Sequence, residues 1–235
     1  MTTDSEDRAS RVAALDATIR ARHTAKLLRE PAASEGSPLD DARRTALDEM
    51  IALAGFAPFH RRAHEDTHRR GPLPSIVPWR FHVLEPPACR KLLDEILRRA
   101  ETSGDPKWQR ASGSKIPALI AATGALIQVT WLPDPPRPDG GDAFADEDVE
   151  HVAAAAAAVQ NLLLAAEARG WYGYWSSGGV LRDPEVFDLL GIARVERLLG
   201  SIFLAPPGAP FDSERPGGLR DRRGEPGDWS RRVTL

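Results

Sequence analysis

Three groups of residues in this 235-residue chain have types and spacings that could do chemistry. The first is Arg22-His23-Thr24-Ala25-Lys26. Its cations and hydroxyl suit a clamp on a phosphate and on the polar edge of a planar ring, arginine giving a two-pronged fork and lysine a point charge. Taken alone, such a cluster more often marks a basic helix end that faces water. The second, Val77-Pro78-Trp79-Arg80-Phe81, reads by itself as a proline-initiated strand with two aromatic core residues. The third is Gly170-Trp171-Tyr172-Gly173-Tyr174-Trp175-Ser176-Ser177-Gly178. A turn of that composition exposes backbone amides and hydroxyls to a ligand while an aromatic wall excludes water.

Other chemistries are disfavoured. There is no phosphate loop, no G-x-G-x-x-G, no H-E-x-x-H and no G-x-S-x-G. His60, His64 and His68 stand at four-residue helical spacing, but arginines crowd them and only Glu65 and Asp66 add carboxylates nearby. A closed metal site needs about four ligands, so the expectation is a solvated histidine-rich loop and no metal. The single cysteine, Cys89, excludes an internal disulfide and suits a reducing compartment. A formal net charge of -3 gives no overall attraction to nucleic acid. Residues 1–7 are polar and acidic, the wrong chemistry for a secretory signal. Residues 152–168 are alanine-rich, interrupted by Gln160, Asn161 and Glu167, and short of the roughly 20 apolar residues of a membrane span. A cytoplasmic protein with no membrane or nucleic-acid partner is expected.

The elements that must position these groups follow from periodicity. Residues 8–22 carry Val12, Leu15 and Ile19 at helical spacing. A second helix is expected over 40–54, capped by Asp40 or Asp41 and ended by Gly55. The connector 57–78 reads as a solvated loop or a flap over a pocket. Strands are expected at 79–84, 118–131, 171–175 and 199–204, and helices at 88–100 and from the acidic 146–148 to Arg169-Gly170. Asp183-Pro184 opens a short helix that Gly191 closes. Small residues over 153–158 would allow another helix to approach closely. Strands scattered among helices without strict alternation predict an α+β class, with an N-terminal helical extension over 1–20 and one domain over 21–235 bearing the long connector 60–78.

Together the three groups resemble the nitroreductase family of FMN flavoproteins, and within it the YdjA-like NAD(P)H nitroreductase branch. The resemblance rests on Arg22-His23-Thr24, Ala57-Pro58-Phe59-His60, Pro78-Trp79-Arg80-Phe81, the alanine-rich helix with Val159-Gln160-Asn161-Leu162, then Gly170, Trp175-Ser176-Ser177-Gly178, 183–191 and Leu199-Gly200. It spans about residues 20–204 in the right order. It implies a central, mainly antiparallel sheet flanked by helices, in an intertwined homodimer that shares two FMN sites. Arg22, His23, Thr24 and Lys26 would contact FMN from one subunit and His60 from the other, with Trp175, Ser176 and Ser177 along the ring or ribityl side. Residues 165–170 match a stretch implicated in nicotinamide dinucleotide binding. The implied activity is NAD(P)H-driven reduction of a nitroaromatic, quinone or similar small acceptor by ping-pong hydride transfer, with no catalytic side chain. The alternatives are a flavin-binding sensor or storage protein, and an FMN-dependent oxidase or dehydrogenase of a biosynthetic intermediate. Two departures stand out: the connector after His60 is longer than the family's, and Val77 replaces a polar residue before Pro-Trp.

Overall fold

Burial decides where the sheet must sit. In the computed structural model, which describes residues 2–60, 73–134 and 146–234, all seven residues of the run Ala125–Trp131 are buried. A strand withdrawn from water on both faces needs a covering layer on each. In chain order, α1 (Thr2–Ala21) leads into β1 (Ala25–Leu28), α2 (Asp41–Ala54), β2 (Trp79–Leu84), α3 (Pro86–Thr102), α4 (Pro106–Ser112) and α5 (Ile116–Ala122). Then come β3 (Ala125–Trp131), α6 (Asp146–Ala168), β4 (Tyr172–Ser176), α7 (Pro184–Leu190), β5 (Arg197–Ala205), β6 (Ser213–Pro216) and α8 (Pro226–Trp229).

The main sheet has the order β2-β3-β5-β4 with every neighbour antiparallel, and β1 pairs with β6 in a separate two-stranded ribbon. The class is therefore α+β, as the scattered strands predict. Side chains alternate across the sheet. On one face Ile127, Val129, Ile202 and Leu204 pack with Leu47 and Met50 of α2 and Val159 and Leu162 of α6. On the other, Leu84, Leu126 and Phe203 pack with Leu92, Leu93 and Ile96 of α3 and Ile120 of α5.

Local chemistry sets the helix ends. Asp40 accepts from the Arg43 amide at 2.8 Å, capping α2. Asp183 does the same for α7 at 2.9 Å from Glu185, and Gly191 closes that helix with φ 67°, a conformation costly for any residue with a Cβ. Helix α3 begins before the expected residue 88, because Pro86 and Pro87 occupy first-turn positions where a missing amide costs nothing.

Three expectations need correction. The stretch 118–131 is not one strand: α5 takes its apolar start, and β3 begins only at Ala125. Short apolar runs carry no periodicity that separates a buried helix from a buried strand. Helix α4 and the ribbon strands β1 and β6 also lay hidden, each too short to show a pattern. Finally, the stretch 148–168 of α6 is long and apolar enough by composition to cross a membrane, yet half of it is buried within the fold.

The small residues of α6 serve this chain itself. Ala154, Ala155 and Ala158 lie beneath Trp79 and Trp131, with Ala57 alongside. Two large rings fit there because the helix presents only methyl groups. We expect Ala158→Leu, at a fully buried site, to cost about 1–3 kcal/mol by overpacking, seen as a lowered thermal midpoint. Cys89 donates to the Leu84 carbonyl at 3.3 Å, and burial pushes its thiol up to about 12. A thiol reagent at neutral pH should leave the native chain unlabelled and titrate one thiol in denaturant; rapid native labelling would contradict the burial.

Candidate active site

The β1–β6 ribbon is seated by Leu27, which packs with Ala122, Ala205 and Tyr172. Its neighbour Lys26 places Nζ 5.1 Å from the centre of the Tyr174 ring, and that ring stacks on Phe203 at 5.9 Å. A cation over a tyrosine face is weakly attracted to it and held in place. Arg215 is the register partner of Lys26, so both cations project from the same side of the ribbon. Lys26 thereby joins the edge strand β4, which carries Trp175 and Ser176, to the cluster 22–24.

That cluster is bound by the tail of the chain. Arg22 follows α1 directly, its amide bonded to the Thr18 carbonyl at 2.9 Å. Arg220 donates to the carbonyls of Arg20 and Ala21, bringing a further guanidinium beside Arg22. His23 lies 3.6 Å from Glu214 and 4.0 Å from Glu167. The Thr24 carbonyl accepts from the Gly217 amide at 3.0 Å. A Cβ at Gly217 would come within 2.9 Å of the Thr24 Cβ, so only glycine allows this approach. Arg215 and Arg220 were missed from the sequence, where the tail shows only as a Pro-, Gly- and Arg-rich stretch. Their concentration was the available signal; their partners were not.

At β4 the indole of Trp175 lies across Gly200. A Cβ there would fall 2.2 Å from the indole Nε1, so the ring occupies the space a side chain would take. Ser176 is buried and its hydroxyl accepts from the Gly178 amide at 3.2 Å. Arg182 donates to the carbonyls of Ser177, at 2.7 Å, and Leu198, at 3.0 Å. The turn carrying both serines is thus tied to β5. Of the stretch 165–170, Ala165 and Ala166 are buried in the core, whereas Glu167 reaches out toward His23.

His60 stands elsewhere. It is exposed, and the preceding Phe59 meets Trp79 edge-on at 5.8 Å. Trp79 pairs with Trp131 and Trp131 with Arg197, whereas Tyr174 beneath Lys26 pairs with Phe203. Six residues of β5 separate those positions, roughly 20 Å at the usual rise per strand residue. One chain brings Lys26 to Tyr174 of β4, with Arg22, His23 and Thr24 just upstream of it in the chain, and keeps His60 away. His64 and His68 lie outside the described residues. Among the described residues no three His, Cys, Asp or Glu side chains gather as a metal site would require.

With this geometry in view, residues 43–205 match the model of the Nitroreductase family. The chain belongs to that family. The matched stretch starts after the cation cluster and ends with β5. Solved structures agree on the fold. A nitroreductase-like family protein from Bacillus cereus is 20% identical, with a TM-score of 0.54 over 90% of this chain and 95% of its own. A nitroreductase with bound FMN from Bacteroides fragilis is 18% identical, with a TM-score of 0.52 over 88% and 96%. The nitroreductase CinD of Lactococcus lactis, in complex with 4-nitrophenol, is 16% identical, with a TM-score of 0.56 over 92% and 98%. No curated protein sequence matches the chain.

This nitroreductase-family chain also fixes the start of β2 in a way the sequence did not announce. Arg80 is buried, and its guanidinium donates to the carbonyls of Ser75, Val77 and Trp79 at 2.7–2.8 Å. We expect Arg80→Met to cost roughly 3 kcal/mol or more, since a buried charge-assisted hydrogen bond contributes about 1.5–3. Denaturant unfolding measures this, and a change under 1 kcal/mol would mean the carbonyls find other partners.

Proposed function

We propose that this chain is an FMN-dependent oxidoreductase that uses NAD(P)H to reduce nitroaromatic, quinone or similar small acceptors in ping-pong order. The observation that carries the reading is Lys26, at the end of the cation cluster 22–26, standing over Tyr174 of β4, the strand that leads into the serine-bearing turn. The donor set fits the cofactor. Arg22, Lys26 and Arg215 offer positive charge for a phosphate, and Thr24, Ser176 and Ser177 offer hydroxyls for a polyol chain. The bare backbone of Gly200 lets the Trp175 indole pack closely against β5 and offer an apolar surface beside the turn. Bound FMN would supply the hydride chemistry, and the side chains would supply position and charge. Cations in a partly dry site hold the phosphate more strongly than they would in water. Relatives of this fold that carry FMN or 4-nitrophenol support both the cofactor and the acceptor class.

The same reading includes a homodimer of the YdjA-like type, acting in the cytoplasm. His60 lies too far from Lys26 to share one site within a chain, so a second subunit would bring it. Val12, Leu15 and Ile19 of α1 are each about half exposed, at 51–55%, an apolar stripe for that subunit to cover. Residues 167–170 would meet the nicotinamide dinucleotide.

Purified protein should show a flavin absorption spectrum that bleaches when NADPH is added without oxygen and returns with a quinone. Protein that stays colourless and rejects added FMN would sink the proposal. Arg22→Ala is expected to lower the flavin-to-protein ratio several-fold while leaving the circular dichroism spectrum unchanged; unaltered occupancy would remove Arg22 from the site.

A further inference from the structure

Gln128 is a polar side chain in the middle of the buried strand β3, and packing alone does not call for it. It is fully withdrawn from water, its Oε1 accepts from the Ser201 hydroxyl at 2.6 Å, and its Nε2 has no partner. A methionine of similar length would fill the same space with no polar atom unmet, and an unmet buried donor is costly. What the amide alone supplies is an acceptor for Ser201.

The register of the sheet shows what that acceptor does. Gln128 stands opposite Ser201, and Ser201 stands opposite Ser176, so the three form a row across β3, β5 and β4. Side chains directly opposite project from one face of a sheet, and two hydroxyls so placed are within reach of a cross-strand hydrogen bond. Here the serines do not bond to each other. Ser201 gives its proton to Gln128, on its other side. The Ser176 oxygen accepts from the Gly178 amide at 3.2 Å, and among the described residues the Ser176 hydroxyl donates to nothing. Ser176 is buried, so its proton is not spent freely on bulk water. The turn beyond it rests on the same row, since a Cβ at Gly178 would come 3.3 Å from the Ser201 oxygen. His82, at the far end of the row, is engaged by Glu196 at 2.7 Å.

We infer that Gln128 is a positioning residue of the flavin site: by taking the Ser201 proton it keeps the two serines apart and leaves the Ser176 hydroxyl to donate to bound FMN. The inference rests on the flavin reading above. Released from Gln128, the Ser201 hydroxyl rotates toward Ser176 and accepts the proton that Ser176 has not used. A hydroxyl engaged with its neighbour must break that bond before it can serve a ligand. Fully buried itself, Gln128 acts only through the two hydroxyls.

The test measures FMN dissociation from the flavin-free full chain by quenching of flavin fluorescence, with thermal melting of the same samples to show that each variant is folded. Gln128→Met is expected to weaken FMN at least about five-fold, the order of one hydrogen bond. Adding Ser201→Ala removes the competing acceptor, and affinity is expected to return to within about two-fold of the unaltered chain. A merely structural role gives the opposite result, because a second truncation beside the first deepens the loss. Should Gln128→Met fail to fold, Gln128→Leu takes its place in the same comparison. Should neither fold, Ser176→Ala decides, with an expected loss of about five-fold. An unaltered chain that binds no FMN would end the flavin reading and this inference with it. Where the unaltered chain does bind, full affinity in Gln128→Met, a double variant no better than the single one, or indifference to Ser176→Ala would each overturn the inference alone.

Discussion

Strand β3 is buried on both faces along its whole length, and a sheet with such a centre must spend two layers of helix to cover it. Helices α2 and α6 take one face and α3 to α5 the other. Nothing polar can be reached over the middle of this sheet. Accessible polar groups are thereby confined to its two edges, β4 and β2. The candidate flavin-binding turn lies at the first edge. Its placement belongs to one architectural decision, made by the burial of seven consecutive residues.

How much of this was readable from the residues depended on element length and on where partners lay in the chain. Helices with a capping aspartate and a closing glycine announced themselves, and α7 between Asp183 and Gly191 is the clearest case. Strand β2 was bounded by Pro78 and Glu85 and fell where periodicity put it. The four-residue strands β1 and β6 were invisible, because their pairing joins Ala25 to Pro216 across nearly the full chain. Local pattern carries no information about a partner that distant.

The candidate site was legible as composition and illegible as geometry. The cations of 22–26 and the hydroxyls of 176–177 stood out by type. That Lys26 would sit over Tyr174, or that Arg220 would hold the end of α1, could not be read from either segment alone. The small residues of α6 were read as a face that another helix could approach closely. The structure packs Ala154, Ala155 and Ala158 against the chain's own Trp79 and Trp131. Small side chains signal close approach without saying what approaches.

Arg80 has a wider implication. By gathering the carbonyls of Ser75, Val77 and Trp79, it braces the entrance to β2 through contacts no more than five residues apart in the chain. The place where the strand begins against β3 is thereby marked locally, by one guanidinium folded back on the backbone that precedes it.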